Sequence, residues 1–404
     1  ISDAPASAGL LSESEVESLL RGHAAMETVS KEQAQSDVSL LFRTLQSAYG
    51  AYEYFGQEKF DAAEDAVTQW LSSQDDEIKV SALGEKLQES LAFMLAHDAH
   101  AVIYEPAAEE IEAQVRYEYF FADGFFFSKD VNGSYYMVND GERWTLSSFS
   151  DEHVSVQPTL LQDGRIVYQP TLFALRKDAV QSSVTLKNSS GKAKIYRLDW
   201  TESQPLDVDL GTLDYRLIQE DGLTYVSLRS LVSGTYDNML ARYAREGAKA
   251  RGSKAVIYDL RGNVGGSDSW PRKWIQSFLG TQNSIETSML YAQKNSALFA
   301  AENSESLLPE DEGTCFAREV HGTWYENDIP IIVLVDDHCG SSGEGAVQLL
   351  KTLDNVLVVG SNTAGYQLCG NISTFTLPYT GIGVRFGSTL FLYGDGENVD
   401  HRGY

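Results

Sequence analysis

The sequence has few cysteines, fewer basic than acidic residues and no long apolar run, and each shortage excludes a class of protein. No run of roughly eighteen apolar residues occurs, so we expect no membrane-spanning helix. The 31 Lys and Arg residues against 58 Asp and Glu residues give a formal net charge of -27. Such a charge repels nucleic acid and anionic membrane surfaces, so we expect a soluble globular protein that binds neither.

The three cysteines, Cys315, Cys339 and Cys369, lie far apart in the sequence. Because there is no C-x-x-C pair and no histidine at zinc-ligand spacing, we do not expect a structural zinc site. Two interpretations stay open: one disulfide with one free thiol, or three small buried apolar side chains.

The first residue is Ile1, and the small, polar stretch SDAPASAG follows it. This start is typical of a chain whose targeting segment was removed, although an engineered start would look the same. The first interpretation predicts an extracytoplasmic protein, whether secreted, periplasmic or at the cell surface.

Residues 1–100 have helical periodicity. The sequences SESE from Ser12 and SKEQ from Ser30 fit capping boxes, and apolar residues then recur at helical spacing. We therefore predict an N-terminal helical bundle.

Residues 101–215 change to a period of two. Aromatic residues alternate with polar ones, and turn pairs such as Asp140-Gly141 separate the runs. This pattern predicts an antiparallel, β-rich domain.

Residues 216–404 form a third region, in which short apolar runs alternate with helical segments. The runs are LTYVSL, AVIYDL, PIIVLVDD and VLVVG. Alternation of this kind predicts an α/β domain with a mostly parallel sheet covered on both faces. The stretch 283–328, rich in Ser, Glu and Asn, resembles a long insertion beside the site.

A glycine-rich loop, DLRGNVGG from Asp259, lies between the run AVIYDL and a predicted helix. Glycines let a backbone approach a ligand closely, and free amides at a helix N-terminus can hold a developing oxyanion. A dinucleotide site is the rival interpretation. It lacks the spacing G-x-G-x-x-G, because Gly262, Gly265 and Gly266 are three and one residues apart.

A second candidate is DHCGSSGEGA, residues 337–346, which follows a predicted strand and opens a helix. A serine hydroxyl at such a turn is exposed, and the next backbone amide can point at the oxygen that the attack creates. The same sequence also fits an ordinary helix N-cap. The α/β-hydrolase elbow G-x-S-x-G is disfavoured, because Gly340 and Gly343 flank two serines.

The order AVIYDLRGNVGG, IPIIVLVDDHCGSSGEGAVQLLK and VLVVGSNTAG resembles the S41 peptidase family, which includes the C-terminal processing and tricorn-type proteases. The resemblance covers residues 222–404 well and the N-terminal region loosely. It implies a ClpP/crotonase-like α/β domain. Glu344 would close the serine turn motif, which puts Ser341 in the nucleophile's place and Ser342 after it.

A nucleophilic Ser341 would need a general base to take its proton. One branch of the family uses a lysine, but Tyr366 stands at that position and the only lysine after Ser341 is Lys351. The tricorn-like branch uses a histidine from a D-G-H motif, which the stretch HDAH resembles. His100 is therefore the implied base, with an ordinary pKa suited to the task, and His97 competes with it.

The same branch has an acidic residue three positions before a glycine near the C-terminal end. Asp400 and Gly403 fit this pattern. The resemblance implies that Asp400 orients the imidazole of His100 and stabilises its cation.

The resemblance thus implies a serine endopeptidase that cleaves peptide or protein substrates and requires no metal or organic cofactor. The implied site residues are Ser341, His100 and Asp400 as catalytic groups and Gly265, Gly266 and Ser342 as the oxyanion hole. The central domain gives no clear PDZ signature, although DGFFFS from Asp123 would fit a degenerate carboxylate-binding loop. The sequence does not predict the oligomeric state.

Two other functions stay open. A non-catalytic relative would bind a peptide or lipid in the same cleft, and the missing lysine and Ala99 in place of a glycine favour it. A crotonase-type acyl-CoA enzyme would share the glycine-loop chemistry but would give no role to Ser341.

Overall fold

The computed structural model divides into two compact units, Ile1–Ile111 with Val208–Tyr404 and Glu112–Asp207. The residues that the structure describes are 11–104, 117–151, 153–161, 163, 165–175, 182–202, 215–234, 237–302, 307, 311–394 and 398–404. The helical region and the α/β region therefore belong to one unit. The domain limits at 100 and 215 stay a prediction.

The N-terminal part of the first unit is mainly helical, as its periodicity predicts. Its elements are α1 (Glu13–Leu20), α2 (Lys31–Ala48), α3 (Tyr52–Phe55), α4 (Gln57–Ser73), α5 (Val80–Ser90) and α6 (Ala92–Leu95), with the antiparallel pair β1 (Thr28–Ser30) and β2 (Glu77–Lys79). Both predicted capping boxes form, at Ser12 and Ser30. The predicted apolar stripe of α2 is buried, with Leu41 and Leu45 fully inaccessible.

A five-stranded sheet forms the centre of the α/β region, which confirms the predicted fold class. Its strands in spatial order are β13 (Arg216–Glu220), β14 (Leu223–Ser227), β15 (Ala255–Asp259), β18 (Ile331–Val335) and β19 (Val356–Gly360), numbered along the chain. All neighbours are parallel except β13 and β14. The helices α7 (Asp237–Glu246), α8 (Ser269–Leu279) and α10 (Ser342–Leu350) follow these strands.

A second sheet in the same unit joins distant parts of the chain. It contains β17 (Cys315–Val320), β16 (Met289–Lys294), β21 (Gly383–Tyr393) and β20 (Cys369–Thr376) in that order, and β3 (Val102–Tyr104) pairs with β21. The stretch 283–328 therefore supplies two strands, with α9 (Ala297–Glu302) between them. The pairing of Val102 with Arg385 fixes the chain two residues after His100.

The second unit is built from antiparallel strands, as the alternating pattern predicts. They are β4 (Tyr117–Ala122), β5 (Ser128–Lys129), β6 (Tyr135–Asn139), β7 (Glu142–Phe149), β8 (Val154–Leu160), β9 (Ile166–Leu175), β10 (Ser182–Lys187), β11 (Ala193–Leu198) and β12 (Trp200–Glu202). The predicted hairpin turn at Asp140-Gly141 has positive φ at both residues, 53° and 76°. Trp144 and Phe127 are in the core of this unit.

Two further expectations concern cysteines and membranes. The side chains of Cys315, Cys339 and Cys369 are all buried, which fits the interpretation of the cysteines as small apolar residues. In the described part of the chain, no helix has the length and apolarity that crossing a bilayer requires.

Asp37 of α2 attaches the helical region to the segment before β21. Its buried carboxylate accepts hydrogen bonds from the Thr380 N–H and the Thr380 hydroxyl, both at 2.8 Å, and burial raises its pKa. We expect Asp37→Ala to lower the free energy of unfolding by about 2 kcal/mol, because the donors of Thr380 stay buried without a partner. Denaturant titration followed by circular dichroism measures this loss.

The matched control is Asp65→Ala, which removes an exposed carboxylate from α4. We expect it to change the unfolding free energy by less than about 0.5 kcal/mol. Equal effects of the two substitutions would show that the Asp37 bonds do not stabilise the fold.

Candidate active site

Ser341 occupies a strained turn between β18 and α10. Its backbone has φ 53° and ψ -124°, a left-handed conformation that a residue with a side chain rarely adopts. Such a conformation costs about 1–3 kcal/mol and persists only where the surrounding structure enforces it, which is common at functional sites.

The helix-cap interpretation of this serine can be compared with two ordinary caps in the same chain. Ser12 and Ser30 have extended backbones, with φ of -75° and -69°, and their hydroxyls accept N–H bonds from the first turn of the helix. Ser341 does not have this conformation. As at Ser12 and Ser30, its N–H donates to the side chain three residues on, here Glu344 Oε2 at 3.0 Å. The turn therefore keeps the capping-box bonds of an ordinary cap and differs from it in its strained backbone.

The glycine loop that follows β15 lies directly against the Ser341 turn. A Cβ atom built on Gly265 would lie 2.8 Å from the Ser341 Cβ and 2.9 Å from the Ser342 nitrogen. A Cβ atom built on Gly266 would lie still closer to backbone atoms, 2.1 Å from the Leu231 carbonyl carbon and 2.2 Å from the Val232 nitrogen, and the two glycines have φ of 96° and 139°. Only glycine permits both this approach and these angles, so the loop and the serine turn form one surface.

The backbone amides of the two loops differ in what they bind. The Gly265 N–H donates to Asn263 Oδ1 at 2.9 Å, so this amide is already engaged, contrary to its predicted role as a free donor. The N–H groups of Gly266 and Ser342 donate to no other described residue. The Ser342 hydroxyl donates to the Gly266 carbonyl at 2.9 Å, which holds the two segments together.

Glu344 connects the serine turn to the segment after β19. Its buried carboxylate accepts four hydrogen bonds, from the Ser341 N–H, the Thr363 hydroxyl and the N–H groups of Gly365 and Tyr366, at 2.6 to 3.0 Å. Burial raises the pKa of Glu344, and the four donors oppose that rise. The fully buried carboxylate therefore fixes both segments at once.

His100 lies in a largely buried position between α6 and β3. Its ring meets that of Tyr366 edge-on, with centroids 5.1 Å apart, and Nδ1 has no hydrogen-bond partner among the described residues. Burial lowers the pKa of His100. Arg385, whose Nε donates to the His100 carbonyl at 3.1 Å, lowers the pKa further, whereas Asp98 raises it.

Asp400 lies beside His100. The two side chains and that of Asp98 bring potential ligand atoms within 4.8 Å of one another. Asp400 accepts N–H bonds from Ala99 at 2.9 Å, Gln367 at 2.6 Å and Leu368 at 2.7 Å. Burial and the neighbouring Asp98 raise the pKa of Asp400 well above its usual range, against the effect of these amides.

The structure thus brings the predicted residues together in two groups. His100 and Asp400 form one group, and Ser341 lies with Gly265 and Ser342 in the other. The segment 363–368 joins them, since it donates to Glu344 at its start and to Asp400 at its end.

Competing residues have other surroundings. His97 is exposed, and its Nδ1 bonds the Phe93 carbonyl at 2.9 Å. Lys351 is exposed at the end of α10. The Cys339 thiol is fully buried, and burial raises its pKa well above the ordinary value, so it is not a nucleophile.

Sequence reasoning gave no role to two residues of the site. Asp98 stands inside the quoted HDAH motif, and its carboxylate accepts the Tyr49 hydroxyl and the His100 N–H. Gln367 belongs to no motif that we identified in the sequence, yet it bonds both Ser341 and Asp400.

A metal ion is not required to explain this arrangement. Asp98, His100 and Asp400 are close enough to offer ligand atoms to one cation. However, every carboxylate oxygen of the two aspartates already accepts a protein hydrogen bond.

Comparison with known proteins identifies the region that carries these loops. The family model of peptidase family S41 matches residues 222–403, so this region of the chain is similar to that family. A peptidase is therefore the coarse function indicated. No curated protein sequence matches the chain.

Several solved structures match most of this chain at low sequence identity. Mature CPAF is 12% identical with a TM-score of 0.45, and the match covers 93% of this chain and 92% of that chain. The photosystem II D1 C-terminal processing protease is 14% identical with a TM-score of 0.43, and the match covers 92% of this chain and 91% of that chain. The tricorn protease is 13% identical with a TM-score of 0.40, and the match covers 93% of this chain and 34% of that chain.

The surroundings of His100 predict how its imidazole titrates. We expect its pKa to lie below the ordinary value of 6.5 because burial disfavours the cation. Arg385→Met should raise this pKa, because a repelling positive charge is removed. Asp98→Asn should lower it, because an attracting negative charge is removed. Histidine NMR shifts followed against pH measure each change, with the resonance assigned through His100→Gln.

The control for Arg385→Met is Arg318→Met, which removes an exposed guanidinium from β17. It should leave the His100 titration unchanged. An identical pKa in wild type and Arg385→Met would contradict this account of the site's electrostatics.

Proposed function

We propose that the protein is a serine endopeptidase that uses Ser341, His100 and Asp400. The observation that carries the proposal is the strained Ser341 turn packed against the Gly265-Gly266 loop. A buried network that enforces an unfavourable backbone conformation at one serine suits a nucleophile that must be held at a fixed position.

In the proposed acylation step, Ser341 Oγ attacks a peptide carbonyl carbon and its proton passes to His100. The carbonyl oxygen becomes an oxyanion, which the N–H groups of Gly266 and Ser342 bind. Both N–H groups lack a partner among the described residues, which supports this role. The Gly265 N–H is not a donor to the oxyanion in this proposal, because it already bonds Asn263. Gly265 instead allows the loop to pack closely against Ser341.

The cycle closes in two further steps. The tetrahedral intermediate collapses, and His100 gives its proton to the leaving amine as the C–N bond breaks. Water then attacks the acyl-enzyme with His100 again as base, and the acid product leaves as Ser341 regains its proton.

Asp400 is proposed to orient the imidazole and to favour its cation by accepting a hydrogen bond from His100 Nδ1, which has no partner among the described residues. Its nearness to His100 and its three backbone N–H donors support this role, since they hold the carboxylate in place. Because burial lowers the pKa of His100, the imidazole is neutral, and able to accept a proton, at neutral pH.

Three further proposals concern the substrate, the fold and the location of the protein. The substrate is a peptide or protein, the α/β region has the ClpP/crotonase-like fold, and the protein acts outside the cytoplasm. Cell fractionation of the native organism would test the last of these.

Covalent labelling tests the nucleophile. A fluorophosphonate probe should label the wild-type protein, and Ser341→Ala should lose all labelling because the attacking oxygen is gone. Ser342→Ala is the matched control, since it removes the neighbouring hydroxyl and keeps the proposed backbone amide donor. It loses the bond to the Gly266 carbonyl, and its labelling rate should still stay within about tenfold of wild type.

The outcomes separate the functions that stay open. Labelling that persists in Ser341→Ala would contradict the assignment of the nucleophile. Absence of labelling in wild type under every condition would favour a peptide-binding or lipid-binding relative, and binding of an acyl-CoA would favour the crotonase-type enzyme.

The base is tested with a pair of histidines. We expect His100→Ala to lower kcat/KM on a fluorogenic peptide by at least about 10²-fold, the usual contribution of a general base. His97→Ala should stay within about twofold of wild type, because its exposed ring bonds only its own helix. The reverse order of effects would make His97 the base.

A further inference from the structure

One side chain lies between the two groups of the candidate active site. Gln367 is only 7% exposed, and its Nε2 donates to the Ser341 carbonyl at 3.1 Å. Its backbone N–H donates to Asp400 Oδ1 at 2.6 Å. The same residue therefore contacts the peptide unit of the nucleophile and the acid beside His100.

The orientation of this side chain is fixed by its partners. Its Oε1 accepts the Tyr404 hydroxyl at 3.2 Å. A carbonyl can only accept hydrogen bonds, so the nitrogen of the amide must face Ser341 and the oxygen must face Tyr404.

Gln367 completes the set of bonds that hold the Ser341 backbone. The Ser341 N–H donates to Glu344, and its carbonyl accepts from Gln367 and from the Gly345 N–H at 3.0 Å. Because the φ of Ser341 is unfavourable, this conformation depends on such bonds. The Gly345 bond belongs to the helix itself, whereas the Gln367 bond connects the turn to the other half of the site.

We propose that Gln367 is a positioning residue that couples the Ser341 turn to Asp400 and, through Asp400, to His100. The inference rests on the proposed serine peptidase function. Gln367 would hold Ser341 at a fixed position relative to His100 and Asp400. Loss of its side chain should therefore slow the chemical step more than it weakens substrate binding.

The first test replaces the amide with an apolar side chain of similar shape. Gln367→Met should lower kcat on a fluorogenic peptide by about 10- to 100-fold and change KM by less than about threefold. The control is Gln169→Met in the second unit, where a buried Gln also donates to a backbone carbonyl, that of Ala122, at 2.8 Å. Its kcat should stay within about twofold of wild type.

The second test uses charge. In Gln367→Glu the carboxylate cannot donate to the Ser341 carbonyl, but the protonated acid can. Burial and the nearby acids Asp400 and Glu344 should raise the pKa of the new carboxyl. Activity should therefore recover partly as the pH falls towards the pKa of His100, and a merely structural residue would not produce this profile.

Amide hydrogen exchange separates this inference from the proposed function. Gln367→Met should speed exchange of the Ser341 and Gly345 amides, while Gln169→Met should not, and this holds even if the protein cleaves nothing. An inert wild type would overturn the peptidase. Unchanged exchange in Gln367→Met, or a kcat within twofold of wild type, would overturn the role of Gln367.

Discussion

The candidate site depends on one buried carboxylate, that of Glu344. It accepts hydrogen bonds from the Ser341 turn, whose backbone is strained, and from the segment that begins at Thr363, so it fixes both segments. A buried carboxylate is costly unless its oxygens are satisfied. The four donors offset that cost, and they also give the nucleophile's turn a fixed neighbour.

The second constraint is the pairing of β3 with β21. It holds the chain that follows His100 against a strand from the last part of the sequence, and Asp400 then bonds the Ala99 N–H. The helical region and the α/β region are therefore parts of one unit, and the position of His100 does not rely on a flexible approach between domains.

Local patterns in the sequence predicted the elements well. The capping boxes at Ser12 and Ser30 and the strand–helix alternation after residue 216 have short-range causes, and the structure contains them. The composition of the stretch 283–328 predicted an insertion, because the pairing of its strand β16 with the distant β21, beside the local pairing with β17, leaves no local pattern in the sequence. Gln367 could not be found from the sequence, because its partners Ser341 and Asp400 are assembled only by tertiary contacts.

The distance along the chain between the parts of this site has a consequence for biosynthesis. Ala99 and Asp400 are 301 positions apart, yet a hydrogen bond between them holds Asp400 beside the residue that precedes His100. Contacts of such long range form late in folding, because a large loop must close first. A nascent chain would therefore carry His100 and Ser341 before it holds Asp400, and any activity of the proposed site would begin only after residue 400 had been made.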